Sequence, residues 1–241
     1  MLNRNIGKLS VCEEKVTIKI TIIYDNDASK GYITGWGFSA IIEKEAKTII
    51  FDAGWNGHAL MKNLEEAIFE PKRIDYVVLS HKHWDHIGGL DTLLHYTNRP
   101  TVFVPTTFSD SLKTEITKFA ELREVTKDEG AELFSGVITS PIMKANNADL
   151  FEMSLFVKTE SGIVVITGCS HQGLDKIIDE AAKHGKVHAV IGGFHGFDKL
   201  KKLKDINLIV PCHCTKLKEE IMMMYPEKTK RCFSGLKLTI K

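Results

Sequence analysis

The run His81-Lys82-His83-Trp84-Asp85-His86 constrains this chain more than any other stretch, because four metal-ligating side chains fall within six residues. It follows directly on Tyr76-Val77-Val78-Leu79-Ser80, an apolar run that reads as a buried strand. Side chains alternate along extended backbone, so His81 and His83 project to one side if the chain stays extended past Ser80, and one ion can take both imidazoles. Asp85 and His86 follow where the loop turns and can face a second ion nearby. Imidazole with carboxylate suits zinc, with iron or manganese as alternatives.

The pattern around this loop is that of an α/β chain. Periodicity predicts strands over 16–24, 38–43, 48–51, 74–80, 101–104, 151–158, 163–167, 187–191, 208–210 and 236–240, and helices over 58–69, 88–96, 174–184 and 215–224. The polar stretch 106–135 yields no clear element. Asp52, His81, His171, His195 and His213 all lie just past predicted strands. Loops at strand ends converge on one edge of a layered α/β sheet, which is where sites form. No repeat, low-complexity tract or linker divides the chain, so residues 1–241 read as one domain, and 43% hydrophobic content suffices for its core.

Charge and composition exclude several classes. A net charge of +1 provides no basic field for a nucleic-acid backbone. No apolar run reaches the roughly 20 residues of a membrane helix. Met1 to Ser10 lacks the apolar region of a signal peptide, so the expected location is the cytoplasm. Five unevenly spaced cysteines do not make a disulfide framework in a chain of this size. A small-molecule substrate is the expected partner, and the sequence does not specify an oligomeric state.

Three further segments carry chemistry. In Thr167-Gly168-Cys169-Ser170-His171, Cys169 and His171 share a side if the chain is extended. His171 is the ligand candidate, while Cys169 is either a thiolate ligand or a small buried side chain. In Pro211-Cys212-His213-Cys214-Thr215, neighbours point opposite ways, so His213 is read as the ligand and the two thiols as packing behind it. Gly192-Gly193-Phe194-His195 is either a tight turn or a loop that holds phosphate and sets His195 as an acid or substrate contact. Asp52, before Ala53-Gly54, can orient the ligand loop from behind or simply cap a turn. His58, His95, His184 and His188 lack partners and read as structural or surface residues.

The His81-x-His83-x-Asp85-His86 run, Phe51-Asp52-Ala53-Gly54 and the later strand-end histidines resemble the metallo-β-lactamase superfamily over about residues 16–240. That resemblance implies a four-layer αβ/βα sandwich with one or two ions at the sheet edge. His81 and His83 would serve one ion, and Asp85, His86 and His213 the other. Gly35-Trp36-Gly37-Phe38-Ser39, with the 167–171, 192–195 and 211–215 segments, is similar to a branch named for a synthase that couples a dihydropterin methyl group to an aryl amine. The chain departs from the superfamily pattern in two places. Asp149-Leu150-Phe151-Glu152-Met153-Ser154 contains no histidine where many members carry one, and Cys169 stands where a bridging aspartate is usual. His171, Glu152 or Asp149 would then supply the missing ligands.

These readings predict a metal-dependent hydrolase of a small phosphate- or ester-containing substrate, with Asp85 orienting water or accepting its proton and His195 contacting substrate. The pterin-type synthase and a metal-binding protein without catalysis are the alternatives. A flavodiiron-type redox site, which carries a carboxylate at the second motif position, is disfavoured by His83. RNA processing is disfavoured by the near-zero charge.

Overall fold

The computed structural model describes residues 17–146 and 149–241, so expectations for Met1–Ser10, Cys12 and Val16 lie outside the described residues. The first sheet takes β1 (Ile18–Tyr24), β2 (Ser39–Lys44), β3 (Lys47–Phe51), β4 (Tyr76–Val78), β5 (Thr101–Pro105) and β6 (Glu121–Val125) in that order, with β15 (Lys237–Ile240) outside β1. The second takes β14 (Leu208–Cys212), β13 (Val187–Gly193), β12 (Gly162–Thr167), β11 (Leu155–Thr159), β8 (Val137–Thr139) and β7 (Glu132–Phe134). A ribbon of β9 (Met143–Lys144) and β10 (Phe151–Glu152) stands apart.

The strand period sorts side chains between layers. Ile49 and Phe51 face the second sheet with Ile20, Ile42, Val164, Ile191 and Val210, forming the central core. Ile50, Val77 and Val102 point the other way, onto α1 (Gly57–Glu66), α3 (Leu90–Tyr96) and α4 (Asp110–Phe119). Val165, Val190 and Ile209 likewise face α5 (Leu174–Ala182) and α6 (Lys218–Met224) on the opposite outer surface. Full burial of each such branched side chain is worth about 1.5–3 kcal/mol, and strands covered on both faces are apolar throughout. Helix, sheet, sheet, helix is the four-layer αβ/βα sandwich. Among the described residues no helix is long and apolar enough to cross a membrane.

Three predicted elements differ. The stretch 106–135 holds α4, β6 and β7. Only Ile116 of α4 is fully buried, and β6 is an edge strand exposed along most of its length, so neither shows a strong apolar period. The predicted strand 151–158 breaks at Met153-Ser154, where Met153 N–H turns to the Ser80 carbonyl at 3.0 Å. The predicted helix 215–224 begins at Lys218, because Thr215 Oγ1 accepts from Phe194 N–H (2.9 Å) and donates to the Cys212 carbonyl (2.7 Å).

β3 to β6 are parallel, as are β12 to β14. Their C-terminal ends open on one edge of the sandwich, and the segments after β3, β4, β12, β13 and β14 meet there with the one after β1.

Candidate metal centre

The centre is built outward from Asp52, fully buried and left-handed at φ 57° where it leaves β3. Its Oδ1 accepts Ser80 N–H at 2.7 Å. Its Oδ2 accepts the Ser80 hydroxyl at 2.7 Å and His86 Nδ1–H at 2.6 Å. With its proton given to Asp52, Ser80 Oγ accepts from His81 Nδ1 at 2.8 Å. This network assigns the proton of both rings to Nδ1 and leaves both Nε2 lone pairs free for a ligand.

Past Ser80 the chain bends at Lys82 and is extended at His83 (φ −67°, ψ 143°), and the rings of His81 and His83 lie 4.7 Å apart. It then winds into α2 (Trp84–Ile87), one helical turn where a loop was predicted, carrying Asp85 and His86 away from His83.

The opposing wall hangs on Glu152, also fully buried. Its oxygens accept the backbone N–H of Cys169 (2.7 Å), Ser170 (2.9 Å) and His171 (2.8 Å). Burial raises its pKa against those donors. The loop so held places the His171 ring 5.0 Å from both His81 and His83. His171 Nε2 is buried with no hydrogen-bond partner among the described residues. One donor atom each of His81, His83 and His171 lie within 4.8 Å of one another.

His213 leaves β14 at φ 44°. Its N–H donates to Asp25 Oδ1 at 2.7 Å, and its Nδ1 lies 3.0 Å from Asn26 Oδ1. Its Nε2 then lies 3.1 Å from Asp85 Oδ2, which is 3.8 Å from His86 Nε2. Asp85, His86 and His213 form a second trio within the same 4.8 Å limit, and His81 and His86 stand ring to ring at 4.2 Å between the trios. Trp36 packs edge-on against His213 at 4.7 Å. A buried imidazole nitrogen without a partner, set among other histidine rings, fits a divalent ion.

Electrostatics favour neutral, ligating imidazoles. Burial and the rings of His195 and His83 push His171 down to about 4. Burial, then neighbouring histidines, holds His81 well below the ordinary range, and burial lowers His83 and His213. Burial would lower His86, but Asp52, Asp85 and Glu152 together shift it up. Asp85 is held well below the usual carboxylate range: burial alone would raise it, and the contacts with His213 and His86 prevail. A histidine whose folded pKa lies below its unfolded value binds fewer protons when folded, so it adds stability as pH rises. For His171 that contribution is complete above about pH 6.5 and is lost as pH falls toward its folded value of about 4. His81, His83 and His213 act in the same sense and His86 opposes them. Urea denaturation of metal-free protein is expected to show stability falling through this window, and a pH-independent midpoint would contradict it.

Residues 36–146 match the family model described as the Metallo-beta-lactamase superfamily. Over that segment the chain resembles the metallo-β-lactamase superfamily. The chain is 28% identical to a Methanocaldococcus jannaschii protein named 7,8-dihydropterin-6-methyl-4-(beta-D-ribofuranosyl)-aminobenzene-5'-phosphate synthase, across 96% of this chain and 97% of that one. It shares the fold of a solved metal-dependent hydrolase of the beta-lactamase superfamily, with TM-score 0.75, 24% identity, and 93% and 99% of the two chains covered. Zn(2+)-bound PqqB from Methylobacterium extorquens has the same fold at TM-score 0.64 and 12% identity, with 91% and 99% covered.

Against the superfamily pattern, several expectations are corrected. Glu152 is no substitute ligand, since its oxygens are spent on backbone donors, and Asp149 lies on the surface 3.4 Å from Lys144. Cys169 and His171 both turn into the cluster, each with a donor atom within 4.8 Å of one on His81, although Ser170 between them is left-handed at φ 60°. Cys212 does pack behind His213, but Cys214 turns toward the site, since His213 is left-handed. The Gly192–His195 loop has no free amides for a phosphate at its middle: Gly193 N–H donates to the Gly168 carbonyl and Phe194 N–H to Thr215 Oγ1. The glycines serve close approach instead, a Cβ on Gly192 falling 1.9 Å from the Thr167 carbonyl oxygen. His195 reaches the cleft, its ring 4.7 Å from His171. Sequence reading missed Asp25, Asn26 and Ser80, polar residues whose partners lie far along the chain, and gave Trp36 no role beyond its place in the Gly35–Ser39 segment. For Ser80 alone there was a local signal, its position between the strand and the first histidine.

Proposed function

We propose that the chain is a metal-dependent hydrolase of a small phosphate- or ester-containing substrate, with His81, His83 and His171 holding one ion and Asp85, His86 and His213 a second. The observation that carries this reading is the pair of adjoining donor trios at one strand-end edge, with His171 Nε2 buried and without a partner. The imidazole-rich donor set favours zinc, with iron or manganese next. An ion held there supplies Lewis acidity to a scissile phosphoryl or acyl group.

The chain's own residues define the rest. A cavity of about 500 Å³ beside His171, lined by Asn146, Ser170, His195 and Lys216 among others, has the size of a small-molecule site. His195, kept neutral by burial and by Lys216, presents a ring N–H, and Lys216 presents positive charge, to an anionic group such as a phosphate. His195, over His171, is in position to donate to a leaving group. Asp85, kept ionised, orients the nucleophile's proton as well as facing the ion. We read the substrate as a soluble small molecule in the cytoplasm, not a membrane or a nucleic acid.

A second reading, transfer of a pterin methyl group to an aryl amine, is favoured by the name of the Methanocaldococcus relative and its coverage of both chains. In it the same cavity would take the phosphate of the aryl amine substrate while the amine nitrogen attacks the pterin methyl carbon, the C–N bond forming as the C–O bond to a departing diphosphate breaks and the nitrogen loses its proton to solvent.

Zinc-loaded protein should turn over one class from a panel of phosphodiesters, lactones and thioesters, or couple the pterin and aryl amine pair. His83→Ala should lower that rate at least about 100-fold, the upper range for weakened metal sites. An unchanged rate in a metal-depleted His83→Ala protein would sink the catalytic reading.

A further inference from the structure

Two cysteines at the second trio take no part in the reading above. Cys169 Sγ lies 3.2 Å from His86 Nε2, the nitrogen whose lone pair the Asp52 network leaves free. Cys214 Sγ lies 3.2 Å from Cys169 Sγ, and both cysteines are free thiols. One donor atom each of Cys169, His213 and Cys214 lie within 4.8 Å of one another, as do those of His81, His86 and Cys169.

The fold goes to some length to bring the two sulfurs together. The left-handed His213 swings Cys214 out of the strand alternation that buries Cys212. Glu152 ties down Cys169 N–H. Gly193 leaves the gap between them: a Cβ there would fall 2.7 Å from Cys214 Sγ and 3.2 Å from Cys169 Cα. Ordinary core packing of two small side chains requires none of this. Thiolate sulfur and imidazole nitrogen are both zinc donors, so the two thiols add to the Asp85, His86 and His213 trio.

We propose that Cys169 and Cys214 are thiolate ligands of the ion held by His86 and His213, so that the second metal position is a sulfur site. The inference rests on the two-ion reading above. Each thiol releases its proton to solvent as its sulfur binds the ion. Thiolate ligands select soft or borderline ions, so this position takes zinc, cobalt or cadmium in preference to magnesium or manganese.

The test is a cobalt(II) titration of chelator-treated protein kept reduced by a phosphine, read by the near-ultraviolet thiolate-to-cobalt charge-transfer absorbance. Wild-type protein should develop a band with the intensity of two thiolates. Cys169→Ser and Cys214→Ser should each remove about half of it or more, while His171→Ala, in the other trio, should leave it in place. Circular dichroism establishes that each variant is folded. Cobalt uptake with no charge-transfer band, or a band that neither serine variant reduces, would overturn the proposal. The hydrolase reading fails separately, through absence of turnover while the band is intact. No cobalt uptake at all overturns both.

Discussion

Glu152→Ala is expected to lower folding stability by about 3–5 kcal/mol, because three buried N–H groups lose their acceptor. The carboxylate is fully buried and accepts three consecutive backbone N–H groups, those of Cys169, Ser170 and His171. Each buried donor left without an acceptor costs about 1–3 kcal/mol, and only water entering the new cavity or movement of the loop would recover part of it. Metal binding should suffer with stability, because the same loop carries His171. Glu152→Gln keeps oxygen on one side only and should fall between wild type and alanine. Urea denaturation of the three proteins gives the comparison. A loss below about 1 kcal/mol for alanine would mean that the loop does not depend on this carboxylate, since ordinary surface changes stay within about half that figure.

Asp52→Asn should weaken metal binding about 10- to 100-fold with little change in fold, the range seen when a partner behind a ligating histidine is altered. The substitution is nearly isosteric, but an amide in place of Oδ2 turns an acceptor into a donor. Oδ2 now receives both the Ser80 hydroxyl at 2.7 Å and His86 Nδ1–H at 2.6 Å. Facing an N–H, His86 must move its proton to Nε2, the nitrogen needed for the ion, and the Ser80 hydroxyl loses the acceptor that fixes it toward His81. The opposite amide orientation would face the Ser80 N–H with a second donor at 2.7 Å. Chelator competition measures the affinity directly, and an unchanged dissociation constant would show that the histidine tautomers are set elsewhere.

The layered architecture was legible because strands buried on both faces have nearly continuous apolar sequences, as in Ile163–Thr167 and Val187–Ile191. The strand-end histidines stood out for the same reason: a polar ligand is conspicuous directly after such a run. What alternation could not reveal was the direction of side chains after a left-handed residue. His213 sits at positive φ, and Cys214 after it turns toward the site instead of packing behind with Cys212. Glu152 was misread because its partners are backbone amides 17 to 19 residues away, which leave no trace in composition or period. The helix α4 escaped notice because one buried residue, Ile116, is too little to make an apolar stripe.

The most direct measurement of the central claim is metal stoichiometry by elemental analysis of zinc-equilibrated wild-type, His171→Ala and His213→Ala proteins. Two adjoining trios predict two zinc ions per wild-type chain and about one in each variant, with folding confirmed by circular dichroism, since each variant loses a ligand from a different trio. Wild-type protein that takes up no zinc, or variants that both retain the full wild-type content, would contradict the account.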